Sequence, residues 1–211
     1  MAITNYTELK TAVANSLARS DLTNNIPDFI ALAEARLSRE LETREQEKRA
    51  TATLTASDEF ISLPTDLREV RSVKLNTSPN TVLEYMSPTS LDNTYPSGGN
   101  GKPVAYSIVG TEMKMRPVPD SAYTAEIIYI GGLSALSDSN ATNTMLTRHP
   151  DAYLMGSLVE AYQYLMDDQR AQIYDQKFSR IIEEIRKDEQ RSRYGTGTLH
   201  IQSIYTRQAN I

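Results

Sequence analysis

Cysteine and tryptophan are absent from the chain, and histidine occurs only twice. Without cysteine there is no disulfide frame and no thiolate metal site, a composition that fits a reducing cytoplasm. His149 and His200 lie far apart, without the close His, Cys or carboxylate spacing that zinc requires, so no metal or cofactor is expected. Beside Pro150, His149 reads instead as the residue that opens a helix. Long apolar runs are missing as well. No stretch approaches the ~20 residues that cross a bilayer, and MAITNYTELK lacks the basic start and apolar core of a secretion signal, so the chain reads as neither membrane-spanning nor secreted. Positive charge is in deficit: the formal net charge of −5 argues against a protein whose main affinity is for nucleic acid, because Lys and Arg on phosphate supply most of such binding. No GxSxG surrounds any serine, and neither a Walker sequence nor a Rossmann glycine run occurs. SGGNG runs into Lys102 and Pro103 and so marks a loop rather than a phosphate cradle. A hydrolase with an unrecognised site has nothing in its favour beyond the general availability of carboxylates.

What is present is a globular composition. The 211 residues are 39% hydrophobic, and a globule of that length buries roughly 70% of its extended surface. Helical periodicity marks both ends. From about Tyr6 to Arg19, Asn5 is the candidate N-cap, Glu8 completes a capping box, and Leu9, Val13 and Leu17 recur at fourfold spacing. A second helix starts at Pro27 and carries the stripe Ile30, Ala33, Leu37 and Leu41, pairing with the first. Helical pattern returns from Thr144: Pro150 marks a first turn, and Leu154, Leu158, Ala161 and Leu165 keep one face apolar. Asp167 or Asp168 then caps a last helix with Ala171, Tyr174, Phe178, Ile181 and Ile185 on one side.

Between about Ala50 and Leu136 the pattern alternates, Thr, Val, Ile and Tyr become frequent, and Pro and Gly punctuate. ATATLTASDEFISLP reads as a hairpin turning at Ala56 to Asp58, REVRSVKL as a strand, TVLEY as its neighbour, and SPTSLDN as a helical turn capped by Ser87. YPSGGNGKP reads as a flexible loop. VAYSIVG and EMKMRPV form a hairpin around Gly110 and Thr111, and TAEIIYI closes the set. Within it, MKMRPVPDSAYTAEIIYIGG reads as two strands joined by a turn at Pro117, Pro119 and Asp120, bare of nucleophiles and ligands. After Arg193 the pattern breaks at Gly195 and Gly197, and TLHIQSIYTRQANI becomes an extended, β-capable tail with no partner strand nearby in sequence.

The expected fold class is therefore α+β, mainly α. A four-helix bundle is assembled from both chain ends (1–49 and 142–193), a β subdomain is inserted between its second and third helices (50–141), and an extended C-terminal arm follows (194–211). The paired acids Asp167 and Asp168, and Glu183 and Glu184, read as a cap and a solvated face, since adjacent helical residues point different ways. Arg186, Lys187, Arg191 and Arg193 end the last helix, where they favour the negative end of its dipole. They are also candidate contacts for a partner or for DNA, which keeps a helical nucleic-acid-binding regulator as the alternative reading. Tyr153, Tyr162, Tyr164 and Tyr174 lie at helical spacings that suit packing or subunit contacts better than base stacking.

The order of elements resembles the head-to-tail adaptor (connector) proteins of tailed bacteriophages. The resemblance is carried by LPTDLREVRSVKL, GKPVAYSIVGTEMKMRPVPDSAYTAEIIYIGGLSALSD and TMLTRHPDAYLMGSLVEAYQYLMDDQRAQIYDQKF, in that order after two N-terminal helices, and covers roughly Thr4 to Gln190. It implies a non-enzymatic homo-oligomer, a ring of twelve subunits under the portal protein of a filled capsid. Such a ring extends the DNA channel, touches translocating DNA transiently, and offers a lower face to a tail or nozzle protein. The resemblance places the chain at the virion head–tail interface, after assembly in the host cytoplasm and away from membranes. Helices would form the ring wall, and the β region with Pro117, Pro119 and Asp120 would face the tail. The arm would reach the portal through Leu199, Ile201, Ile204 and Tyr205, hinged at Gly195 and Gly197.

Overall fold

The computed structural model describes residues 2–193. Helices α1 (Tyr6–Leu17) and α2 (Ile26–Glu40) come first, followed by strands β1 (Glu47–Leu54), β2 (Phe60–Ser62), β3 (Leu67–Leu75), β4 (Thr81–Val82) and β5 (Glu84–Tyr85). Next come helix α3 (Pro88–Thr94) and strands β6 (Asn100–Gly101), β7 (Ala105–Val109), β8 (Glu112–Arg116), β9 (Val118–Pro119) and β10 (Tyr123–Gly131). Helices α4 (Thr144–Arg148), α5 (Pro150–Tyr164) and α6 (Asp168–Arg193) complete the described chain. The fold is α+β, and helices from both ends pack together.

Asn5 caps α1 by accepting from the Glu8 N–H at 2.9 Å. The Glu8 carboxylate reaches Thr4, whose N–H and hydroxyl both donate at 2.7 Å, one residue upstream of the bond a capping box requires. The helix stops at Leu17, short of the expected Arg19, because Ala18 turns left-handed at φ 52°. In α2 the whole expected stripe, Ile30, Ala33, Leu37 and Leu41, is buried.

The helical layer has α5 at its centre, in contact with α1, α2, α4 and α6, so α1 shares α5 with α2 rather than simply pairing with it. Accordingly α5 is buried on more than the single face expected. Tyr153, Gly156, Ser157 and Val159 are enclosed together with Leu158 and Ala161, whereas Leu154 and Leu165 are only partly covered. Gly156 makes the close approach possible, since a Cβ there would lie 3.0 Å from the Phe178 ring of α6 and 3.1 Å from Ala33 of α2. Asp167 caps α6, accepting from the Arg170 N–H at 3.1 Å, and Ala171, Phe178, Ile182 and Ile185 form its buried stripe.

Every expected strand forms, but two pairings differ, and two short strands, β6 and β9, arise where a loop and a turn were expected. The predicted hairpin from Ala50 to Pro64 has its turn, with Ser57 left-handed at φ 67°. Its strands nevertheless part: β1 pairs antiparallel with β10, and β2 with β8. A strand of 3 residues cannot satisfy a ladder of 8, whereas β10 matches β1 from Glu47↔Ile130 to Leu54↔Tyr123. The strands of MKMRPVPDSAYTAEIIYIGG likewise do not pair. β8 lies between β2 and β7, while β10 lies between β1 and β3. Pro117 and Pro119 remove backbone donors where a hairpin would need to return, and the chain crosses to the other sheet instead. TAEIIYI is thus a central strand rather than the last of the set, with Ala125, Glu126, Ile127, Tyr129 and Ile130 all buried.

TVLEY divides between two neighbours. The Leu83 N–H donates to Val73 of β3 and the Glu84 N–H to Val104 before β7, both at 2.9 Å. Consecutive N–H groups in a strand point to opposite sides. One short strand therefore joins β1-β10-β3 to β7-β8-β2, curling the sheets around a cluster that includes Leu54, Val73, Leu83, Met113 and Ile127. The ends of this curled order, β1 and β2, are consecutive in the sequence.

The β7–β8 hairpin turns at Gly110, φ 62°, as expected. Ser87 caps α3, accepting from the Ser90 N–H at 3.3 Å. The glycine loop is pinned rather than free, because Asn100 and Gly101 pair in parallel with Val118 and Pro119.

Candidate functional site

The crossover after β8 is built around an ion pair. Arg116 is buried, its guanidinium pairs with Glu59, and its Nη1 donates to the Met115 carbonyl at 3.3 Å. Pro117 lies against the glycine loop, 3.9 Å and 3.8 Å from where Cβ atoms at Gly99 and Gly101 would stand. Pro119 is buried, and its carbonyl accepts from the Ser57 N–H at 2.8 Å. Asp120 alone of the three turn residues is exposed, and its carboxylate accepts from the Tyr123 hydroxyl at 2.6 Å.

The basic end of α6 is a mixed-charge face. The Arg186 guanidinium donates to the Glu40 carbonyl through Nε at 3.2 Å and Nη2 at 2.7 Å, closing the C-terminus of α2. Lys187 lies 4.0 Å from Glu183, and Arg180 pairs with Glu184 at 3.1 Å. Arg191 is exposed on the final turn, and Arg193 is the last residue of the helix. Glu189 accepts from the Arg44 N–H at 2.8 Å, so the end of α6 is held beside the start of β1. The expected arm residues Gly195, Gly197, Leu199, Ile201, Ile204 and Tyr205, and His200, lie outside the described residues.

Three of the four singled-out tyrosines pack inside the layer. Tyr153 is fully buried, and Tyr162 stacks on Tyr174 at 5.1 Å between ring centroids. Tyr164 is exposed beside Phe29, 5.4 Å between centroids, and Leu32 on α2 and Met166 just after α5 are exposed apolar side chains as well.

Sequence reasoning missed a buried carboxylate. Glu34, only 8% exposed, accepts from the Tyr153 hydroxyl at 2.7 Å, the Asn143 amide at 3.1 Å and the Leu136 N–H at 3.1 Å. Asn143 also caps α4, accepting from the Leu146 N–H at 2.8 Å. Burial raises the Glu34 pKa against the opposing pull of these three donors. Burial and the neighbouring carboxylate push the Tyr153 phenol well above its usual range. The arrangement ties α2, the segment after β10, α4 and α5 into one joint. Its donors all come from the fold, and what it does is positional.

Among the described residues no cluster of His, Cys, Asp or Glu is arranged to hold a metal ion. No described helix is long and apolar enough to cross a membrane. No curated protein matches the sequence. The family model described as SU10 adaptor protein matches residues 4–201, taking in both helical ends and the β region between them. The chain therefore belongs to the SU10 adaptor protein family, a family of phage head–tail adaptors whose part in the virion is structural.

Proposed function

We propose that the chain forms a ring of twelve subunits that docks under the portal protein, extends the DNA channel and offers an attachment surface to the tail or nozzle. The observation that carries this reading is the family match across residues 4–201. In this reading the helical layer builds the ring wall, and the β region meets tail components near Asp120. Residues 194–211 form the arm, with Leu199, Ile201, Ile204 and Tyr205 as portal anchors and Gly195 and Gly197 as hinge. A net charge of −5 suits a channel through which DNA slides without being gripped.

The test is electron microscopy of the purified protein, alone and mixed with its portal protein. A ring stacked coaxially on the portal is expected, and persistent monomers that ignore the portal overturn the reading. Free monomers alone do not, because a ring closed by heterologous contacts can need a template. The regulator reading gains nothing from Arg186, which is occupied by the Glu40 carbonyl. Steeply salt-dependent DNA binding by the isolated protein would revive it.

A further inference from the structure

SGGNG contains the only asparagine of the chain that glycine follows, Asn100. Glycine has no Cβ, so the Gly101 backbone nitrogen is poorly shielded from the side chain before it. Asn100 is exposed, and among the described residues no hydrogen bond holds its side-chain amide. Its neighbours add no cover, since Gly98 and Gly99 precede it in left-handed conformation, φ 74° and 60°. Several other asparagines are better protected. The Asn5 and Asn143 side chains cap helices, and that of Asn140 donates to the Ala135 carbonyl at 2.6 Å. Asn15, followed by the small Ser16, is held within α1.

What restrains Asn100 is the short pairing of β6 with β9. It spans 2 residues, Asn100↔Val118 and Gly101↔Pro119, and the Val118 N–H donates to the Gly99 carbonyl at 2.9 Å. Pro119 has no N–H to add. A pairing this short, on an exposed loop, opens locally well before the fold as a whole.

We propose that Asn100 is a self-modification site, converting to isoaspartate and aspartate when the β6–β9 pairing opens. The Gly101 nitrogen gives its proton to solvent and bonds to Cγ of the Asn100 amide. The amide C–N bond breaks, and its nitrogen takes a proton from water and leaves as ammonia. Water then adds to the cyclic imide. Breaking the ring bond at Cγ gives aspartate, and breaking it at the main-chain carbonyl gives isoaspartate. One water is consumed, one ammonia is released, and nothing is oxidised or reduced. Either product adds a carboxylate near the exposed Asp120, which follows Pro119. Isoaspartate also lengthens the main chain inside a paired strand, so both registers cannot re-form and the loop is permanently released from the crossover. This goes beyond the adaptor reading and does not depend on it, because the chemistry belongs to the free chain.

The test incubates the full-length protein, without portal, in mildly alkaline buffer. Peptide mass spectrometry that distinguishes isoaspartate follows each asparagine with time in the natural chain and in Gly101→Ala. A Cβ at residue 101 meets only Pro117, at ordinary contact distances of 3.8 Å and 3.9 Å, so this variant keeps the fold while shielding the nitrogen. Asn100 is expected to convert before every other asparagine, mostly to isoaspartate, and Gly101→Ala to lose most of that conversion. Amide exchange at Val118 should be at least about tenfold faster in converted than in fresh protein. Conversion at Asn100 no earlier than elsewhere, equal conversion in Gly101→Ala, or aspartate without isoaspartate overturns the site. Unchanged exchange at Val118 after conversion overturns the release of the loop. Portal binding enters none of these readouts, so the ring reading stands or falls separately.

Discussion

Tyr153 on α5 donates its hydroxyl to Glu34 on α2 at 2.7 Å, inside a layer where three donors and no cation bond the carboxylate among the described residues. Tyr153→Phe removes the shortest of these bonds and leaves a buried carboxylate under-satisfied. A loss of about 1–3 kcal/mol is expected in urea unfolding.

The same carboxylate predicts a pH dependence. Burial holds the Glu34 pKa above the ordinary 4.5 in the folded chain. Its contribution to stability is therefore fully present below the unfolded value and is lost as pH rises through the folded one. Asp66 has the opposite sign. The Lys48 ammonium and the Tyr129 hydroxyl hold its pKa below the ordinary 3.8, so its contribution is present above that value and lost as pH falls through the folded pKa. Unfolding measured across acid pH should show Glu34→Gln flattening the decline above pH 4.5 and Asp66→Asn flattening the decline on the acid side. A natural chain and Glu34→Gln with parallel pH profiles would contradict the assignment.

Gly156→Ala should destabilise even though alanine is the better helix former. The added Cβ would stand 3.0 Å from Phe178 and 3.1 Å from Ala33, where three helices meet. Overpacking of about 1–3 kcal/mol outweighs a propensity gain of about 1 kcal/mol. A raised melting temperature would show that α6 yields at this contact.

Arg186→Ala should lower stability by about 0.5–1.5 kcal/mol through loss of its bonds to the Glu40 carbonyl. Arg191→Ala, on the exposed final turn, should stay within about 0.5 kcal/mol. Equal effects would separate the α2 terminus from Arg186.

Deleting residues 195–211 should leave a folded protein that no longer associates with the portal protein. Circular dichroism and co-sedimentation check the two halves of that statement. Retained association would remove the portal role from Leu199, Ile201, Ile204 and Tyr205.

The helices were legible because their signals are local: Asn5 and Asp167 cap as their positions suggest, and the apolar stripe of α2 is buried as spaced. Gly110 likewise marks the β7–β8 hairpin. Partner choice was not legible, because alternation says that a segment is a strand without saying which ladder it joins. The partner of β1 is set by length and core match with β10, far along the chain. Glu34 was hidden for a related reason. An acid on an apolar stripe looks like a solvated edge until its donors are known, and these lie 102 to 119 residues away.

The short strand around Leu83 and Glu84 has a mechanical consequence. A force that pulls the β3 side from the β7 side passes through this one segment with its two flanks in series, so breaking the bonds of either flank is enough to part the sides there. On that side of the curl the link between the layers is therefore no stronger than its weaker flank, and the apolar cluster that the two layers share carries the rest of the load.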